Sequence, residues 1–161
     1  MPDKPTVYIE TTVVSYLTAW PDRDLIRAGQ QRETRDWWEN RRSLFELVCS
    51  ELVVQEASAG DPTAAAERLK ALTGLRVLVP SDAAAELAGR LISEIRLPTR
   101  AQADALHVGI AATNGIDYLL TWNCRHLSNA VLRPRIESVC RAAGYDPPTI
   151  CEPRQLMEGV P

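Results

Sequence analysis

Four kinds of signal are missing from this chain: a C-x-x-C pair, an apolar run of membrane-spanning length, a glycine-rich phosphate loop and an excess of basic charge. Each absence removes a class of protein. Cys49, Cys124, Cys140 and Cys151 lie far apart in the sequence, no Cys/His set has zinc-ligand spacing, and the thiols read as inert and buried. The opening Met1-Pro2-Asp3-Lys4 lacks the apolar core of a signal peptide, so a reduced, cytoplasmic protein is the expectation. No apolar run approaches the ~20 residues that cross a bilayer, so no membrane association is expected. A net charge of −3 and a pI near 5.4 argue against bulk electrostatic attraction to nucleic acid, so any RNA or DNA contact must be local. With no glycine-rich loop after any strand, a flavodoxin-like domain for a small phosphorylated ligand has little support.

What remains is a chain of 161 residues, 45% hydrophobic and 24% charged, without internal repeats or low-complexity segments. A chain of this length buries roughly 70% of its unfolded surface, which suits one domain over residues 1–161 with a core at about 5–151 and a tail at 152–161. Residues 1–4 and the tail after Glu152 are expected to fray.

Strand and helix signals alternate. Thr6-Val7-Tyr8-Ile9 reads as a strand ending at Glu10, and Thr11-Thr12 as the cap of an amphipathic piece from Val13 to Trp20. Residues 24–43 read as a surface helix anchored by Trp37 and Trp38, whose adjacency points to packing rather than base stacking. Phe45 to Cys49 reads as the second strand, with Ser50 capping a helix stopped at Gly60. Asp61-Pro62 starts a helix ended by Gly74, Leu75 to Val79 forms the third strand, and Ser81 caps a helix to about Ile95. Pro98 breaks continuity, and the Thr99/Gln102 spacing predicts a capping box with a helix beginning near Arg100. The apolar run between Asn114-Gly115 and Asn123 reads as a buried strand, Asn129 to Ala143 as a helix closed by Gly144, and Thr149 to Cys151 as a fifth strand. The pattern predicts an α/β fold, a three-layer α/β/α arrangement around a parallel four- to five-stranded sheet.

In such a fold Glu10 at the end of the first strand, Glu56 in the middle of the helix after the second, Asp104 a turn into its helix and Asn123 past the fourth strand share one edge of the sheet. Open α/β sheets bind ligands at that edge. Three carboxylates brought together repel, and a divalent cation with oxygen ligands relieves the repulsion. Mg²⁺ or Mn²⁺ suits such oxygen donors better than zinc. Asp104 stands out because aspartate is a poor helix-interior residue. Glu51, in the first turn of the same helix as Glu56, is accounted for by the helix dipole. His107, one turn from Asp104 on the same face and near enough to touch it, reads as packed or hydrogen-bonded, and His126 as structural.

Three stretches carry a resemblance: Val7-Tyr8-Ile9-Glu10-Thr11-Thr12-Val13-Val14-Ser15-Tyr16-Leu17, Ser50-Glu51-Leu52-Val53-Val54-Gln55-Glu56 with Gly60-Asp61, and Asp104-Ala105-Leu106-His107 through Thr121-Trp122-Asn123. Together they resemble PIN-domain ribonucleases, and within them the VapC-like toxins of type II toxin–antitoxin pairs. The resemblance implies hydrolysis of RNA phosphodiester bonds at a Mg²⁺ or Mn²⁺ site, a small antitoxin as partner and frequent homodimerisation. It places Glu10, Glu56 and Asp104 as the first three acids and metal ligands, with Asn123 in the fourth catalytic position. A metal held there would polarise a phosphate oxygen and lower the pKa of a bound water. Thr12 and Thr121 are candidates to orient the carboxylates or contact phosphate, with Ser15 a weaker one. Arg125, with Arg133, Arg135 and Arg141, is a candidate for the RNA side.

This chain departs from the family pattern twice. The first acid is more often Asp, and the extra methylene of Glu10 moves the carboxylate by about 1.3 Å, comparable to the tolerance of octahedral Mg²⁺ coordination. Asn123, often Asp elsewhere, keeps an oxygen ligand but removes a charge, so one firmly held ion is expected. The competing expectation is a catalytically degenerate PIN-like module that binds RNA or a protein partner without cleaving.

Overall fold

A computed structural model describes residues 3–159. The expectation of fraying at Met1 and Pro2, and that for Val160 and Pro161, lies outside the described residues. The elements run β1 (Thr6–Ile9), α1 (Thr11–Thr18), α2 (Leu25–Asn40), β2 (Glu46–Ser50), α3 (Glu51–Ala57), α4 (Pro62–Leu72), β3 (Arg76–Leu78), α5 (Asp82–Ile95), α6 (Gln102–Thr113), β4 (Tyr118–Leu120), α7 (Arg133–Ala142) and β5 (Thr149–Cys151). No helix among the described residues is long and apolar enough to cross a membrane.

All five strands pair in parallel in the order β3-β2-β1-β4-β5. The chain starts in the middle of the sheet, builds outward through β2 and β3, then returns past β1 to lay down β4 and β5. The strand order therefore reverses between β1 and β4, the place where such sheets open a crevice beyond their carboxyl ends. Both faces are covered by helices, so the strands are nearly continuous apolar runs: Val7, Tyr8, Ile9, Val48, Leu119 and Leu120 have no exposed surface. This is the three-layer α/β/α arrangement that the sequence pattern predicts.

Most caps form as the sequence predicts. Ser50 Oγ accepts from Val53 N–H, Asp61 from Ala64 N–H and Ser81 from Ala84 N–H, each closing an orphan amide at a helix start. Four local expectations are corrected. The cap of α1 is Glu10, not Thr11-Thr12: its carboxylate accepts from Thr12 N–H, and its extended backbone leaves Thr11 free to begin the helix. The Thr99/Gln102 capping box is absent, because Thr99–Ala101 winds into a 3-10 turn in which Gln102 N–H donates to the Thr99 carbonyl instead of the Thr99 hydroxyl. The helix thus begins at Gln102, and Asp104 lies in its first turn, where the dipole favours an acid; the argument from a costly helix-interior aspartate falls away. Glu56 is the penultimate residue of α3, not a mid-helix one, since the helix stops three residues short of Gly60.

The tail does not fray through Gly159. Glu152 and Gln155 make a reciprocal capping box over the 3-10 turn Pro153–Leu156, Leu156 is buried, and Arg41 of the segment after α2 donates to the carbonyls of Leu156 and Gly159 at 3.2 and 2.6 Å. Of the paired tryptophans, Trp37 is fully buried and Trp38 lies under the Arg42 guanidinium at 4.1 Å, so both are used in packing.

Helix α6 threads through the molecule nearly buried and meets α5 at Gly109. A Cβ at that position would sit 2.4 Å from the Ala84 carbonyl oxygen, so glycine sets the interhelical spacing. Gly89, on the exposed side of α5, has nothing within 4 Å of the same added atom. The same substitution should therefore change stability in opposite directions. Gly109→Ala is expected to destabilise by about 1–3 kcal/mol because the clash outweighs its helix propensity, and Gly89→Ala to stabilise by about 0.5–1 kcal/mol, both read from urea unfolding.

Candidate metal centre

The end of β1 and the end of β4 are tied by threonine hydroxyls. Trp122 N–H donates to Thr12 Oγ1 at 2.9 Å and Asn123 N–H donates to Thr121 Oγ1 at 2.9 Å, so both hydroxyl hydrogens are free to point elsewhere. Both point at Glu10 Oε2: Thr121 at 3.0 Å, and Thr12 in a short bond joined by the Thr12 amide at 3.0 Å. One carboxylate oxygen thus receives three donors. Its twin, Oε1, has no protein donor among the described residues.

Glu10 is 3% exposed. Burial raises its pKa above the ordinary carboxylate value, partly offset by the nearby His107 and the bonds from Thr12 and Thr121. Glu56 goes the other way. Its partial burial raises the pKa, but the hydrogen bonds from His107 and the Thr11 hydroxyl outweigh that, so the carboxyl is held below its usual range. Glu56 Oε1 receives Thr11 Oγ1 at 2.6 Å and His107 Nε2 at 2.7 Å, and its Oε2 has no protein donor among the described residues. Each glutamate is fixed by one oxygen and leaves the other available.

Glu10, Glu56 and His107 bring ligand-type atoms within 4.8 Å of one another. Asp104 is not in that set. Its Oδ2 accepts from His126 Nδ1 at 2.9 Å, leaving Oδ1 without a protein donor. Asp104 and His107 are three residues apart on α6, which places them on one helix face about 5–6 Å apart at Cβ. Sequence spacing pairs Asp104 with His107; the structure instead sends His107 to Glu56 and Tyr8, and brings His126 to Asp104. The Asn123 carboxamide oxygen caps the turn that follows, accepting His126 N–H at 3.0 Å. Asn123 thereby holds the segment that delivers His126 to Asp104.

Of the basic candidates, Arg133 donates to Ile150 O and Arg135 to Ile95 O, while Arg141 pairs with Glu137 at 3.8 Å. Arg125 is exposed in the loop after β4, beside His126. The cysteine expectation needs one correction: Cys49, Cys140 and Cys151 are buried, but Cys124 is exposed at the surface of that loop and bonds Glu152. Partial burial and the Glu152 carboxylate push its thiol up to about 11, so it is no more nucleophilic than the others. Tyr8, Thr11, Ser50 and the role of His126 have no local signature; they enter through contacts between distant segments.

No family model and no curated protein matches the sequence. Solved structures do match in fold. A chain of VapBC2 from Rickettsia felis, bound to a DNA fragment from its promoter, superposes with a TM-score of 0.59 at 13% identity, covering 91% of this chain and 98% of that one. FitAcB from Neisseria gonorrhoeae gives 0.55 at 14% identity over 93% and 99% of the two chains. VapC20 from Mycobacterium tuberculosis, described as a sarcin-ricin loop cleaving toxin, gives 0.50 at 15% identity over 86% and 95%. The parallel β3-β2-β1-β4-β5 sheet between helical layers is the PIN-like fold of the VapC toxins.

Proposed function

We propose that this chain is a single-domain, metal-dependent endoribonuclease of the cytoplasm, the toxin of a toxin–antitoxin pair. The observation that carries the reading is the state of its carboxylates: Glu10, Glu56 and Asp104 each have one oxygen engaged by protein donors and one without any. Donor bonds of this kind fix a carboxylate's orientation while leaving a lone oxygen for a cation. The donor set also fits the ion, because hard oxygen ligands and water suit Mg²⁺ or Mn²⁺. When bound, such an ion supplies Lewis-acid activation of phosphate and water.

The side chains divide the remaining work. Glu10, Glu56 and Asp104 hold the cation, and Asn123, in the fourth catalytic position, fixes the adjoining turn. Thr12 and Thr121 serve the substrate through Glu10, since their hydroxyl hydrogens are already spent on it. Arg125, exposed beside this edge, supplies the positive contact for an RNA phosphate that the acidic chain lacks in bulk. The likeness to VapBC2 and FitAcB supports an antitoxin partner, and a homodimer is proposed with it. A second reading, an RNA- or protein-binding module without cleavage, draws on the engagement of Asp104 by His126 outside the Glu10–Glu56–His107 group.

Cleavage of RNA should require Mg²⁺ or Mn²⁺ and stop in EDTA, and Asp104→Asn should lower the rate by on the order of 10²-fold or more. Full activity in Asp104→Asn would remove Asp104 from the site. Calorimetric titration separates the two readings, since a degenerate module should show no saturable Mg²⁺ binding at millimolar concentrations.

Glu10 yields a stability prediction of definite sign. Its pKa is raised in the folded chain, so the protonated form is favoured by folding, and the ionised form costs the metal-free fold stability as pH rises through the folded value. Glu10→Gln keeps an acceptor for the threonine donors and removes the charge. In EDTA at neutral pH the variant should melt higher than the parent, with the gap closing toward pH ~4, near the unfolded pKa. Added Mg²⁺ should raise the melting temperature of the parent alone.

A further inference from the structure

Tyr8, Ser50 and His107 are fully buried polar side chains at the foot of the candidate centre, and the nuclease reading gives them no task. They form one continuous chain of bonds. Val53 N–H donates to Ser50 Oγ at 3.2 Å, Ser50 Oγ meets the Tyr8 hydroxyl at 2.7 Å, Tyr8 meets His107 Nδ1 at 2.7 Å, and His107 Nε2 meets Glu56 Oε1 at 2.7 Å.

The direction of the hydrogens is fixed by elimination. Suppose His107 carried a hydrogen on Nδ1, alone or together with one on Nε2. Nδ1–H would then donate to Tyr8, Tyr8 would have to donate to Ser50, and the Ser50 hydroxyl hydrogen would have no acceptor among the described residues; with Nδ1–H alone, the Nε2 lone pair would also face a carboxylate oxygen at 2.7 Å with no hydrogen between them. The opposite order leaves nothing unsatisfied: Ser50 donates to Tyr8, Tyr8 donates to Nδ1, and Nε2–H donates to Glu56. A buried network with every member paired is favoured over one with an orphan.

We infer that His107 is a positioning residue and not a ligand: the Ser50–Tyr8 relay holds its hydrogen on Nε2, which fixes Glu56 Oε1 and turns Glu56 Oε2 toward the cation. This rests on the metal-site reading above. Distance alone places an imidazole nitrogen among the possible ligands, since His107 lies within the 4.8 Å group. Direction separates the two roles, because a nitrogen bearing hydrogen has no lone pair to give. The consequence is an all-oxygen centre suited to Mg²⁺ or Mn²⁺, whereas an imidazole ligand would pull selectivity toward zinc and other transition metals.

Nitrogen-15 NMR of the histidine rings in the full chain tests this without any activity measurement. The expected spectrum shows His107 with hydrogen on Nε2, unchanged when Mg²⁺ is added. Tyr8→Phe removes the donor to Nδ1; the Glu56 carboxylate keeps the hydrogen on Nε2, but the Nδ1 nitrogen shift should move toward that of an unbonded lone pair, and Mg²⁺ affinity by calorimetry should fall roughly 10- to 100-fold, the range for loss of a residue that orients a metal ligand. Hydrogen on Nδ1 alone in the parent chain, or its transfer there when Mg²⁺ binds, would overturn the assignment even if the Tyr8→Phe chain failed to fold. Absence of saturable Mg²⁺ binding in the parent chain would instead overturn the metal centre itself, a separate readout from the tautomer.

Discussion

Everything at the carboxyl edge of the sheet depends on one oxygen atom, Glu10 Oε2. It takes hydrogens from the Thr12 amide, the Thr12 hydroxyl and the Thr121 hydroxyl, and those hydroxyls in turn take the amides of Trp122 and Asn123. The strand pairing of β1 with β4 ends at Glu10 N–H to Leu120 O, so this cluster extends the ladder through side chains where the backbones diverge. A buried carboxylate is costly unless its hydrogen bonds are made, and here making them also fixes the loop that follows β4. Trp122 secures that loop from the other side, with Nε1 donating to Thr34 Oγ1 at 2.7 Å and its ring stacked on Tyr16.

The same logic recurs at Glu56 and Asp104. Each is held through one oxygen, by Thr11 and His107 in one case and by His126 in the other. The donors come from different elements, so the positions of α1, α3, α6 and the β4–α7 loop are coupled through acids rather than through apolar contact alone. Repulsion between the carboxylates opposes this arrangement, and the donors reduce it by drawing charge toward the protein side of each group. Each acid keeps one oxygen without a protein donor among the described residues, and if the proposed cation binds there it meets carboxylates already oriented.

Local sequence rules reach as far as the elements and their caps. Ser50, Asp61 and Ser81 cap as read because an N-cap needs only its own side chain and the next turn. Glu10 is legible as an acid at a strand end for the same reason, and the placement of Glu56 and Asp104 on the ligand-binding edge follows from strand–helix alternation. The partner of each acid is another matter. Thr121 lies 111 residues from Glu10 and His107 lies 51 from Glu56, and such pairings are set by sheet order and register, which no local pattern encodes. The error at Asp104 has a nearer cause, since a 3-10 turn after Pro98 takes the Gln102 amide that a capping box would have served and delays the start of α6.

Glu10 joins two elements through one oxygen, capping α1 and taking the Thr121 hydroxyl beyond β4. Its other oxygen, Oε1, has no protein donor among the described residues. Asn123 closes the adjoining turn: its carboxamide oxygen bonds the His126 amide, and that turn carries the imidazole that bonds Asp104. Under the proposed metal site, an uncharged residue at position 123 leaves three like charges rather than four to be held apart, which favours a single ion.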